Sequence, residues 1–227
     1  MRERLVALGR AQEYGSESKD QARDQAQAED LSPVTHPRFL VYLMGPYKAF
    51  SVADMVSKGV DPDDLAVSFN NWDETAGDYA PADVVGLLER TRDHLRSEAG
   101  LNGFLAIDAD VDLDAMDAAT QSIEFALASN VIALIAPQVG KNLGVGIETG
   151  SVLEGLDTGE REHERVVFVH EAGVRSAMIA ALSRRWEATV YSYRDEADLA
   201  KQVQLFAVDV MRREQVGDLP RRDSPVE

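Results

Sequence analysis

The chain has 227 residues, with 40 Asp and Glu against 23 Lys and Arg, four His and no Cys, and a formal charge of −17 at pH 7. Its 44% of hydrophobic residues are enough for a core, which excludes wholesale disorder; the acidic balance argues against general binding to nucleic-acid backbones, because the protein's own field repels polyanions. Lack of Cys removes disulfides, thiolate zinc sites and a cysteine nucleophile together.

Residues 1–36 read as a polar N-terminal extension. A short helix is expected at 2–14, followed by GSESKDQARDQAQAED, which has no hydrophobe larger than Ala and so cannot offset its ordering entropy. The extension is therefore expected to be partly disordered. Nothing in it has the apolar stretch and cleavage site of a secretory signal, and the longest apolar run, 131–137, falls well short of the ~18 residues of a membrane span. A cytoplasmic protein with no membrane partner is expected. A single α/β domain follows at 37–214, then a flexible tail at 215–227.

Within the domain, FLVYLM at 39–44 is a continuous apolar strand ending in Gly45-Pro46. A turn-rich connection spans 48–80. A helix is predicted at 81–98, with Val84, Leu87, Leu88, Thr91 and Leu95 on one stripe and Gly100 ending it. A strand at 103–107, a helix at 113–128 capped by Asp112 and a strand at 131–136 come next. A glycine-rich segment at 140–150 leads into a helix reaching 156. The remainder reads as strand 166–169, helix 174–186, strand 189–193 and helix 195–213. Such alternation implies a doubly wound, mainly parallel five-stranded sheet of flavodoxin-like or Rossmann-like type, order 2-1-3-4-5, with helices on both faces. Ligands of such sheets sit beyond the carboxyl ends of the strands where the order reverses, here between the first and third strands.

The two segments leaving those strands are Gly45-Pro46-Tyr47 and 137–150, the latter carrying Gly140, Gly144, Gly146, Gly150 and Glu148. A P-loop is excluded because Lys141 follows the first glycine and precedes Asn142. The dinucleotide fingerprint is excluded by glycine offsets of two and four after the wrong strand. Glu148 opens the helix, where unpaired amides and the dipole favour the anion. A glutamate there can simply complement its helix; in a crevice it is suited to attack a cationic sugar carbon.

The stretch Phe39 to Tyr47 resembles the strand-plus-Gly-Pro-aromatic opening of the nucleoside 2-deoxyribosyltransferases. Ser129-Asn-Val-Ile-Ala-Leu-Ile and Asn142-Leu-Gly-Val-Gly-Ile-Glu148-Thr-Gly150 are similar to that family's second signature. The resemblance covers the pattern of residues 38–170 and implies that Glu148 is a nucleophile toward the anomeric carbon of a nucleoside or nucleotide. The base would leave and the sugar pass to another base or to water. Gly45, Pro46 and Tyr47 would then line the sugar and base site, with Gly144 and Gly146 bringing backbone close to the sugar. Asn142, Asn130 and Ser122 stand where the resemblance places aspartates. It implies no cofactor, and a homo-oligomer, because related sites borrow residues from a neighbour. The alternative is a catalytically inactive nucleotide-binding module, sensor or regulatory, of the same fold. A third reading is a partner-assembling protein docking through residues 1–36.

Elsewhere, the Asp108–Asp114 run lacks the Gly and Glu of an EF-hand, having Leu113 and Ala119 in their places. Asp108, ending the second strand, is placed to reach the crevice. The histidines at 36, 94, 163 and 170 have no metal-ligand spacing; His170, ending the fourth strand, fits either a structural role or the border of the site. Asn70, Asn71 and Trp72 fit a lid stacking on a base, and equally a core tryptophan. With five Lys beside 18 Arg, the acid-rich composition is similar to that of haloarchaeal proteins, whose surface carboxylates keep them solvated in salt.

Overall fold

Strands that are apolar on both faces must be covered on both faces. In the computed structural model, which describes residues 1–14, 34–45, 81–109, 111, 116–137, 161–173 and 189–222, they are. Strands β1 (His36–Met44), β2 (Leu101–Phe104), β3 (Val131–Ala136), β4 (Val166–Glu171) and β5 (Thr189–Tyr193) form one parallel sheet in the order β2-β1-β3-β4-β5. This is the doubly wound α/β arrangement that the alternation predicts. The connection at 48–80, the glycine-rich segment with its helix and the helix at 174–186 lie outside the described residues, as do 15–33 of the extension and 223–227 of the tail.

Alternation along the strands divides the core in two. On one face Val41, Leu43, Val131, Ala133, Ile135, Val167 and Val169 meet Leu88 and Leu95 of α2 (Pro81–Ser97) and Leu199, Val203 and Phe206 of α4 (Glu196–Val216). On the other, Leu40, Tyr42, Met44, Ile132, Leu134 and Phe168 meet Leu5 and Val6 of α1 (Arg2–Tyr14) and Phe125 and Ala126 of α3 (Ala118–Ala128). There the Tyr42 and Phe104 rings stack at 5.0 Å, with Phe125 edge-on to them at 5.7 and 6.0 Å.

β1 starts earlier than the sequence predicts, at His36, β2 starts earlier, at Leu101, and β4 runs on to Glu171; at the end of β2 and the start of α3 a side chain captures the backbone and moves the boundary. β2 stops at Phe104, since Asp108 Oδ2 accepts the Leu105 amide at 2.9 Å and winds Ala106–Ala109 into a 3₁₀ turn. α3 starts at Ala118 rather than 113, and the capping role expected of Asp112 falls to Asp117, whose Oδ1 accepts the Thr120 amide at 3.0 Å. Upstream, Gln121 Nε2 donates to the carbonyls of Val111 at 3.2 Å and Met116 at 2.8 Å. α4 keeps the expected form, capped by Asp195 and closed by Gly217 in the left-handed region at φ 78°.

Residues near both ends of the chain pack into the core. Leu5 and Val6 are buried, and so is Leu219. The cause lies at the C-terminus of α3, whose last carbonyls have no helical partners. From one end Arg2 donates to the carbonyl of Ala128, to that of Arg38 at 2.7 Å and to Asn130 Oδ1 at 2.9 Å. From the other, Arg222 donates to the carbonyls of Ala126 at 2.9 Å, Leu127 at 2.8 Å and Ser129, and pairs with Glu162. Burial, then the charge of Arg2, lowers the Arg222 guanidinium to about 10, which leaves it a cation at neutral pH.

Nearby, Glu164 lies between Arg161 and Arg213, and Asp218 pairs with both arginines. Chiefly through the Arg161 hydrogen bond, with Arg213 adding to it and partial burial opposing, the Glu164 carboxyl falls from its ordinary 4.5 to about 2. A folded value below the unfolded one means a contribution to stability that is full above pH 4.5 and lost as pH falls toward 2. Glu164→Gln is expected to leave a flatter dependence of urea midpoint on pH across that window. An unchanged acid limb would show that the cluster is screened by solvent.

Candidate functional site

At the switch point β1 and β3 lie side by side, with Met44 opposite Leu134. The chain thus leaves both strands at adjacent points, through Gly45 and Pro137, both buried. Glycine at 45 lets the chain pass close to α2: a Cβ there would lie 2.9 Å from Leu88 Cδ1, the movable end of a side chain, and at an ordinary 3.5 Å from the Ile135 carbonyl oxygen. Pro46, Tyr47, Asn142, Gly144, Gly146 and Glu148 lie outside the described residues, as do Asn70, Asn71 and Trp72.

Ser122 is buried in the first half of α3. Only Ser129 and Asn130 separate the end of α3 from the start of β3. The helix must therefore run back along the sheet, with Ser122 toward the carboxyl ends of the strands. Asp108 stands after β2 but is engaged within the fold: Oδ1 accepts from Arg92 Nη1 at 2.6 Å while Oδ2 holds the Leu105 amide. One turn further along α2, Arg96 Nε donates to the Gly103 carbonyl at 2.7 Å. The structure therefore brings Gly45 and Ser122 to the crevice side and gives Asp108 a structural ion pair.

Asn130 is at the other end of the molecule. It precedes β3, whose six residues at about 3.3 Å each put it roughly 20 Å from the carboxyl end. Its Oδ1 accepts from Arg2 and from the Leu40 amide at 3.0 Å, and its Nδ2 donates to both oxygens of Glu214 at 3.0 Å. Its carbonyl accepts from Arg165 Nη1 at 3.2 Å. Arg165 also pairs with Glu214 and donates to the Pro220 carbonyl. Spacing along the chain gave no sign of this buried cluster, because the residues meet only through tertiary contact.

At the carboxyl end of β4, His170 lies between Ala136 of β3 and Ser192 of β5. The ring is half-buried, with Nδ1 2.9 Å from the Glu171 carbonyl oxygen. Among the described residues no three His, Asp or Glu side chains converge as a metal site requires, and no helix is long and apolar enough to cross a membrane. The described part of the crevice thus offers a close backbone approach at Gly45, a hydroxyl at Ser122 and an imidazole at His170.

Residues 23–223 match the family model described as Domain of unknown function (DUF7509). No curated protein and no solved structure matches the chain.

Proposed function

The chain belongs to the DUF7509 family, and from that premise we propose that it binds a nucleoside or nucleotide at the switch between β1 and β3 and cleaves its N-glycosidic bond. It acts as an N-glycosidase or a deoxyribosyltransferase-like protein. Glu148 attacks the anomeric carbon, the carbon–nitrogen bond breaks, and the sugar passes to water or to a second base. The observation that carries this reading is the adjacency of Met44 and Leu134, from which the Gly45-Pro46-Tyr47 and 137–150 segments leave the sheet together. The position of Asn130 lends support: an amide at the far end of β3 takes nothing from a site at the carboxyl end. The proposal includes a homo-oligomer in the cytoplasm of a halophile, supported by the family resemblance and the acid-rich, Lys-poor composition.

Incubation with 2′-deoxynucleosides and nucleoside 5′-monophosphates is expected to release free base, and Glu148→Gln to reduce release to background. Release that survives Glu148→Gln would remove the glutamate from the mechanism. The capture of Asp108 by Arg92 favours a second reading, binding without turnover, because it withdraws an acid from the crevice. That reading expects nucleotides to raise the melting temperature with no base released.

A further inference from the structure

We propose that His170 is the acid and base of this glycosidic cleavage, an assignment that rests on the reading above. Along β4, Val166 and Phe168 point into the core under α3, so residue 170 falls on that same face. Its neighbour in register, Ala136, is the last residue of β3, from which the segment bearing Glu148 departs. Ser122 of α3 is on this face as well. The adjacent charge, Glu171, alternates to the opposite face, and Ser192 flanks the ring from β5.

The ring's hydrogen bond fixes how it can act. A carbonyl oxygen only accepts, so the contact with Glu171 puts a proton on Nδ1. Among the described residues Nε2 has no partner. Neutral His170 therefore carries its lone pair on Nε2, and the imidazolium carries an N–H there. As Glu148 bonds to the anomeric carbon, the electron pair of the breaking bond goes to the base nitrogen, and the Nε2 proton with it. Water then attacks the glycosyl ester, gives its proton to Nε2 and frees the Glu148 carboxylate. Imidazole suits both steps because the same ring nitrogen can donate a proton as the base leaves and accept one from the attacking water.

The test pairs 2′-deoxyguanosine with 7-methyl-2′-deoxyguanosine, each also as the 5′-monophosphate. The methylated base already carries a positive charge and departs neutral without a proton. His170→Asn keeps a donor for the Glu171 carbonyl but transfers no proton, and its melting temperature reports on folding. It is expected to slow guanine release about 10²–10⁴-fold while releasing 7-methylguanine at the wild-type rate in the first turnover. Release should then stall after one equivalent, because no base activates the water. Equal slowing of both first turnovers, or no slowing, in the presence of an active wild type would overturn the role of His170 alone. A wild type that releases neither base overturns the glycosidase reading, and the proton-transfer role with it.

Discussion

Replacing Arg165 by Met is expected to lower the unfolding free energy by about 3–5 kcal/mol, among the largest effects of any single substitution in this fold. Arg165 is 1% exposed and Glu214 6%. Without the guanidinium, the Glu214 carboxylate stays buried with the Asn130 amide alone among the partners described above, and the carbonyls of Asn130 and Pro220 each lose a donor. The loss comes from stranding a charge rather than from a strong pair, since a buried pair's attraction is largely offset by its desolvation. It follows that the double variant Arg165→Met, Glu214→Leu should recover most of the deficit. Urea unfolding at neutral pH and fixed salt measures all four corners of the cycle. A single-variant loss below about 1 kcal/mol would mean that water reaches Glu214, as at an exposed pair.

The sheet was legible because burial on both faces writes itself as unbroken apolar runs. Val131–Ala136, buried throughout, falls where its run places it. Elements bounded by polar side chains were less so: the apolar run at 103–107 carries no mark that Asp108 will take the Leu105 amide. The two segments at the crevice were visible as glycine spacing, whereas the roles of single acids and amides were not. Asp108, placed by the sequence to reach the crevice, binds Arg92, and Asn130, which stands where the resemblance places an aspartate, holds the opposite end of β3. Those roles depend on partners 16 to 128 residues away, which periodicity does not encode.

The composition also takes on a more specific meaning. The excess of Arg over Lys at first describes only a surface. Arg2, Arg96, Arg165 and Arg222, however, satisfy backbone carbonyls at helix and strand ends, at half-buried or buried positions. A planar guanidinium with five donors serves several carbonyls at once, which an ammonium on a flexible stem does poorly. Among the acids, Glu214 is a buried exception to the solvated background, and Arg165 and Asn130 together donate hydrogen bonds to its carboxyl oxygens.

Asn130→Asp separates the family resemblance from the geometry, because it installs the acid that the resemblance expects. If the position served the sugar site, the substitution would raise base release. The structure leads to the opposite expectation: no gain in activity or nucleotide binding, and a loss of about 2–4 kcal/mol in stability. One new oxygen keeps the contacts to Arg2 and the Leu40 amide, but the other replaces an N–H that donates to both oxygens of Glu214 at 3.0 Å. Two hydrogen bonds become a contact between carboxylates in a buried cluster. Like charge and burial both raise the pKa of the introduced carboxyl above its unfolded value of about 3.9. The deficit relative to wild type should therefore vanish below that pH and grow as pH rises through the elevated folded value. Urea midpoints of the two proteins, compared at pH 4 and pH 7, report that difference directly. A variant as stable as wild type at pH 7 and faster in base release would move Asn130 to the active site and overturn the assignment of the crevice to the carboxyl ends of the strands.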